Sequence, residues 1–284
     1  MAKKKIVRLR RQDQLYVQIP TFIIIVIAIC FALLPTIITC INSLKTQSEI
    51  NLSIMAFPKG FEWENYVTAF ESVKANIMSS LIVAIVGALG QVMIAAVVAY
   101  IFSYCQFRGK NAIFYLYISV MFIPSALNLP TLYALTYKLD LINSLWGIWL
   151  PGWAAGQVGS MFLLRVFFQN QPRTIIEAAQ IDGAGDFDLA LRIVIPMTIP
   201  IFIYLFLGAV GNRYDDYLWP SLILREENLK MIATVMMEKS ATLSESNMGA
   251  AYAMYIVAGI PMIVVSGISL RFFTGVEFSS ALKM

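Results

Sequence analysis

Few residues in this sequence can do chemistry, and their types limit what that chemistry is. Histidine is absent from all 284 residues. Ser-His-Asp and Cys-His catalysis, His-ligated zinc or haem, and an imidazole pH switch are therefore excluded. Cys30, Cys40 and Cys105 are too few for an all-Cys zinc site or a disulfide framework and read as packing residues. No G-x4-G-K-[ST] phosphate loop occurs; Gly109-Lys110 lacks both the earlier glycine and the hydroxyl. Two acidic features remain. Asp215 and Asp216 sit side by side in an apolar run, and Glu177-Ala178-Ala179 stands ahead of Gly183 in a polar loop. Adjacent aspartates point apart, whereas an aspartyl dyad needs carboxylates that meet. An intramembrane enzyme is thereby disfavoured, and neither a metal site nor a resident cofactor is expected.

The elements that position these residues are apolar. Of the chain, 59% is hydrophobic and 13% charged, with a mean hydropathy of +0.72. A soluble domain is about 45–50% apolar and about 25% charged, so a bilayer must cover the excess. Six runs are long enough to span it: Pro20–Ser43, Ile77–Phe102, Ala112–Leu135, Leu145–Phe168, Ile195–Leu224 and Gly249–Phe273. The first is too long for a signal peptide and lacks a small-residue cleavage site, so it reads as a retained helix behind a basic segment, residues 1–19. Residues 20–284 then form a single transmembrane domain.

Lys and Arg set the orientation. Thirteen fall on one side: Lys3, Lys4, Lys5, Arg8, Arg10, Arg11, Arg108, Lys110, Arg165, Arg173, Arg192, Arg271 and Lys283. Eight fall on the other: Lys45, Lys59, Lys74, Lys138, Arg213, Arg225, Lys230 and Lys239. Both termini are expected in the cytoplasm, and the basic N-terminus is a topology signal rather than a nucleic-acid site. Prolines interrupt three runs: Pro124 and Pro130 in the third, Pro151 at the start of the fourth, Pro220 in the fifth. Carbonyls freed in this way must face protein or water. With the polar cluster Asn212–Asp216, the fifth run reads as lining a solvated path. The G-x-x-x-G spacing of Gly152 and Gly156 reads as ordinary helix packing.

The sizeable cytoplasmic loop is Gln169–Pro196. Thr174-x-x-Glu177 has the form of a capping box, and a short helix follows from Ile175 to Ile181. Gly183 and Gly185 end it, and Asp186 is placed to cap a second helix that stops before Pro196. Interfacial helices usually carry Lys or Arg on the polar face. This one carries Glu177, Gln180 and Asp182, which suits a protein partner.

The loop resembles the E-A-A-x3-G-x9-I-x-L-P signature of permease subunits of binding-protein-dependent ABC importers. Glu177, Ala178, Ala179, Gly183, Ile193 and Pro196 match at the right spacing, and Ile195 replaces leucine. The likeness extends along the chain and narrows to the carbohydrate branch. It includes Asn42-Ser43-Leu44-Lys45, Phe61-Glu62-Trp63-Glu64-Asn65-Tyr66, Ala96–Tyr100 with Phe107–Lys110, Phe162–Arg165, and Pro261 with Arg271-Phe272-Phe273 and Gly275. Two places depart. Where the family reads W-N-D-F-L-W-P, this chain reads Tyr214-Asp215-Asp216-Tyr217-Leu218-Trp219-Pro220. The tail Phe278–Met284 also lacks the usual small, glycine-rich ending.

The resemblance implies an all-α polytopic membrane protein of the type I importer class in the bacterial cell membrane, pairing with a second homologous permease as a heterodimer. It implies two ATPase subunits that hold ATP and Mg, an extracellular or periplasmic solute-binding protein, and a sugar or oligosaccharide cargo. A coupling helix around Glu177, Ala178, Ala179, Asp182, Gly183 and Ala184, with Pro196 behind it, would dock on an ATPase. Planar polar and aromatic side chains favour Asn128, Tyr133, Asn212, Tyr214, Asp215, Asp216, Tyr217 and Trp219 as path candidates. An aromatic-belt role competes for Tyr133 and Trp219. The polar segment Glu226–Asn247 is expected to reach the binding protein. The competing reading is a six-helix secondary transporter or channel subunit. Against it, no midplane carboxylate appears in the first four runs and no internal repeat is evident.

Overall fold

The computed structural model describes residues 2–281, with side chains described over residues 18–271 other than Ser125. The basic N-terminal side chains, Phe272, Phe273, Gly275 and the tail Phe278–Met284 lie outside that range. The described chain is helical, in the order α1 (Ala2–Asn42), α2 (Gln47–Leu52), α3 (Glu64–Tyr104), α4 (Lys110–Ser119), α5 (Ser125–Lys138), α6 (Trp146–Gln169), α7 (Arg173–Ile181) and α8 (Asp186–Leu189). A π-turn at Ala190–Val194 leads to α9 (Ile195–Met197), α10 (Ile199–Tyr214), α11 (Leu218–Ile223), α12 (Ile232–Ser246) and α13 (Met248–Ala281).

Among the described residues three helices are long and apolar enough to cross a membrane: Gln18–Asn42, Glu64–Tyr104 and Met248–Arg271. Counting bent pairs as single spans raises this to five. One pair joins Lys110–Phe122 to Ala126–Lys138 at 100°, and the other joins Asp186–Met197 to Ile199–Tyr214 at 78°. The fourth expected run becomes α6, whose 24 residues reach about 36 Å. Pro151 lies inside α6 rather than at its start, which is Trp146.

Two compact units are present, Met1–Ser72 with Lys239–Val257, and Val73–Glu238 with Ala258–Met284. In the first, residues 18–37 of α1 are exposed, Cys30 and Cys40 are exposed rather than packed, and Asn42 at the helix end is buried. The segment beyond α1 is tightly built. Thr46 and Glu49 form a capping box at α2. Lys45 is fully buried, its Nζ donating to Asn42 Oδ1 at 3.0 Å and to the carbonyls of Ser53 and Ile54 at 3.1 Å. Asn65 Nδ2 donates to the Ser43 and Lys45 carbonyls. Gly249 permits this approach, since a Cβ there would collide with Asn65 Nδ2 and the Lys45 carbonyl. The Ser240–Ser246 run is the end of α12, not an extended loop.

In the second unit, α3 supplies an alanine-rich face. Ala84, Ala88, Ala95, Ala96 and Ala99 are buried, and such small residues let backbones approach closely. A core of Ala95, Ala99, Phe102, Phe114, Met161, Leu164, Phe168 and Leu205 joins α3, α4, α6 and α10. Cys105 packs against it. Indole nitrogens fasten α6 to its neighbours: Trp149 donates to the Val83 carbonyl at 3.1 Å and Trp153 to that of Gly87 at 3.0 Å. Trp219 donates to the Gly147 carbonyl at 3.0 Å.

Candidate functional site

The loop Gln169–Pro196 forms α7 and ends it as expected at Gly183. That residue takes φ +85°, which favours glycine. Its N–H donates to the Gln180 carbonyl at 3.1 Å, and the Ala184 N–H to that of Ala179 at 3.0 Å, the paired bonds of a Schellman turn. Three details differ from expectation. The N-cap position is Pro172, with no side-chain cap bond, so Thr174 and Glu177 form no capping box. Proline sets the chain's direction there instead, and α7 begins two residues before Ile175. Gly185, extended at φ −74° and ψ 167°, starts α8 rather than ending α7, and Asp186 falls in its first turn. The second helix also does not stop before Pro196. The π-turn widens the backbone ahead of the proline ring, and helix continues to Met197. Thr198 Oγ1 then donates to the Val194 carbonyl at 2.7 Å, at the bend into α10.

α7 divides its apolar residues. Ile176 is buried in the unit's own core with Ala179 packed beside it, so the helix does bury one side. Ile175, Ala178 and Ile181 stay outside at i, i+3, i+6 spacing, Ile181 being 86% exposed. Glu177, Gln180, Asp182 and Gly183 are exposed beside them. The result is a short apolar strip with an acidic margin, seated on a fixed base. Two tyrosines on α3 hold that base: Tyr104 Oη donates to the Phe168 carbonyl at 2.7 Å, and Tyr100 Oη to Asp186 Oδ1 at 3.3 Å.

The path candidates separate into several environments. Tyr214 is buried, and its hydroxyl donates to the Ala258 carbonyl at 2.8 Å, so it packs α10 on α13. Trp219 packs on α6, and Tyr133 Oη accepts from Arg225 Nη2 at 3.2 Å. The Asp216 carboxylate lies by the backbone N–H groups of Leu218 and Trp219 at the start of α11. Asp215 lines a cavity of about 490 Å³ between α10 and α13, with Tyr204, Gly208, Gly211, Ser266 and Ser269. Asn128, Asn212 and Tyr217 are exposed. The two aspartates thus point to different tasks, and only Asp215 lines this cavity.

Sequence reasoning counted Arg213 among the outer charges of the fifth run and gave it no part in a site. Arg213 lies within α10, its guanidinium laid against α3 and α6. Nη2 meets the Gly152 carbonyl and Nη1 the Ala209 carbonyl, both at 3.4 Å. A Cβ at Gly87 would lie 2.6 Å from Nε, one at Gly152 3.3 Å from Nη2, and one at Gly156 3.5 Å from Nη2. The Gly152–Gly156 spacing therefore opens a slot for a cation rather than for a second backbone. An arginine inside an apolar run, one turn from that slot's helix partners, was the available signal.

Residues after α11 are held firmly. Asn143 Oδ1 accepts the Arg225 and Glu226 N–H groups at 3.0 Å, and Asn76 Nδ2 donates to the Glu227 and Lys230 carbonyls. Lys230 bonds Glu238 and Glu227, and these carboxylates hold its ammonium above the usual lysine range.

Comparison with known proteins fits this arrangement. Residues 91–275 match the family described as "Binding-protein-dependent transport system inner membrane component". The chain is 25% identical over 258 residues to a probable ABC transporter permease, YurM of Bacillus subtilis, covering 90% of this chain and 85% of that protein. It is 27% identical over 203 residues to the arabinooligosaccharide permease AraQ of the same organism, covering 69% and 72%. It is 28% identical over 243 residues to the diacetylchitobiose permease NgcG of Streptomyces coelicolor, covering 82% and 78%. A chain of a bacterial ABC transporter that imports the acidic polysaccharide alginate superposes with a TM-score of 0.77 at 21% identity, over 93% of this chain and 98% of that one. The all-α importer-permease fold is thereby borne out, as is the resemblance read from the loop signature. This chain belongs to the family of inner membrane components of binding-protein-dependent transport systems.

Proposed function

We propose that the chain is one of two homologous permease subunits of an ABC importer in a bacterial cytoplasmic membrane. It passes a sugar or oligosaccharide from an extracellular binding protein into the cytoplasm. ATP and Mg act on two partner ATPase subunits, and α7 is the coupling helix that receives their motion. Six spans, with both termini inside, complete the arrangement. Removing Arg213 from the outer group widens the charge bias to thirteen against seven. The relatives that carry arabinooligosaccharides and diacetylchitobiose support a carbohydrate cargo.

The observation that carries this reading is the exposed Ile175–Ala178–Ile181 strip beside Glu177, held by buried Ile176 and the Gly183 turn. An apolar strip on a fixed base transmits rigid-body displacement, because packed elements move as units. The outer segment Arg225–Lys230, fixed by Asn143 and Asn76, offers the binding protein a preformed contact. The test is solute uptake with partner ATPases present. Glu177→Ala and Gly183→Pro should each abolish uptake while the protein still inserts and assembles. Normal uptake by either variant refutes the coupling role.

A further inference from the structure

The coupling role leaves Arg213 without a task. Its slot lies inside the apolar part of the second unit: Gly152 and Gly156 are about 9 Å and 15 Å along α6 from Trp146. A cation at such depth is costly and marks a function more often than a fastening. A guanidinium has five N–H donors. Here, among the described residues, two long carbonyl bonds and the charge of Asp216 are what it meets. Two of those contacts are at 3.4 Å, the weak end of hydrogen bonding.

Other groups converge on the same glycines. A Cβ at Gly156 would lie 2.7 Å from Gln91 Oε1, and one at Gly87 3.4 Å from Trp149 Cδ1. Trp149 stacks on Trp153 with ring centroids 6.3 Å apart and planes 7° apart. Arg213, Gly152, Trp149 and Trp153 are each partly open rather than sealed, and Gly156 is exposed. A cation, a planar amide and indole carbon around a glycine floor form a recognisable set. The cation suits a carboxylate or phosphate and the indoles suit the apolar face of a sugar ring, while Gln91, buried and bonded to Ser160 Oγ at 2.9 Å, backs the slot.

We propose that Arg213, set in the slot of Gly87, Gly152 and Gly156, is the anion-binding centre of a solute subsite for a saccharide that carries a carboxylate or phosphate. This rests on the importer reading and gives its cargo a chemical class. The fork geometry of the guanidinium pairs two oxygens of the acid.

The test uses the assembled importer, both permeases with both ATPases, in nanodiscs without the binding protein. Calorimetric binding is measured for trigalacturonate and glucose 6-phosphate against their neutral counterparts, maltotriose and glucose. At least one acidic probe should bind about tenfold or more tightly than its neutral counterpart. Which one binds separates carboxylate from phosphate. Arg213→Gln should lose that preference, and Arg213→Lys should keep part of it. Where Arg213→Gln fails to assemble, Gly152→Ala keeps the charge but sets a methyl 3.3 Å from Nη2, and should weaken acid binding. Unchanged acid binding in an assembled variant overturns the subsite, as does binding of neutral probes equally or alone. Binding of no probe overturns it too, and the importer reading then stands or falls on Glu177 and Gly183.

Discussion

Lys45 shows how a charged residue is kept out of water without a carboxylate. Three oxygens, from Asn42, Ser53 and Ile54, take its three ammonium hydrogens. The bonds tie the end of α1 to the chain after α2, and Asn65 adds two more from α3. Lys45→Met leaves those acceptors without a donor in a fully buried place. Unfilled buried acceptors cost about 1–3 kcal/mol each in the worst case, tempered by rearrangement. Lower thermal stability and faster proteolysis between residues 45 and 63 are expected, read in purified protein. Glu49 gives a second residue-scale expectation, this one pH-dependent. The N–H groups of Thr46 and Lys59 hold its carboxyl below the usual carboxylate range. A carboxyl lowered by folding contributes stability that is present above its ordinary range and lost as pH falls through the folded value. Amide exchange at Lys59 should therefore quicken on acidification through that range. Glu49→Gln should quicken it at neutral pH and flatten the dependence.

At the scale of elements, the hydrogen bond from Tyr100 to Asp186 joins α3 to α8, and α8 leads into the bend at Thr198. Tyr100→Phe removes the donor while preserving the ring that packs in the core. If the bond helps to hold the base of α7, the variant should assemble and hydrolyse ATP but transport less solute per ATP. The ratio of uptake to hydrolysis, measured with the loaded binding protein, reads this directly; an unchanged ratio removes the bond from the coupling route. Legibility in the sequence followed the chemistry of each element. Gly183 was readable, because few residues other than glycine suit φ +85° at a helix end. An apolar stripe on α7 was readable from spacing, but the division between buried Ile176 and exposed Ile175 and Ile181 was not, since it depends on where α3 and α6 lie. Thr174 misled because a capping pattern is local, whereas Pro172 had already fixed the helix start. Pro196 misled because a π-turn absorbed the ring's clash. Arg213 was hidden because only tertiary structure reveals three glycines from two other helices making room for one guanidinium.

At the scale of the molecule, the bend between α4 and α5 decides how many times the chain crosses and in which direction. The 100° bend between α4 and α5 separates two arrangements. If the pair crosses, Arg108 and Asp140 lie on opposite sides of the membrane; if it turns back, both lie on the same side. The residue pattern favours crossing. Arg108 precedes α4 and Lys110 opens it, its Nζ donating to the Cys105 carbonyl at 2.8 Å. At the other end, α5 leads to Asn143, which fixes Arg225 and Glu226. A chain that turned back would carry that outer segment to the cytoplasmic side together with Asn76 and Ser79, which bind the same segment from α3. Single cysteines placed at Arg108, Asp140, Asp188 and Asn228, in a chain with Cys30, Cys40 and Cys105 replaced by serine, distinguish these cases. An impermeant maleimide applied to whole cells should label positions 140 and 228 only, with 108 and 188 reached after permeabilisation. Labelling of 108 with 140 from one side would make the bent pair re-entrant and leave an odd number of crossings. The reverse pattern would invert the orientation and place α7 outside, where no ATPase could reach the Ile175–Ala178–Ile181 strip.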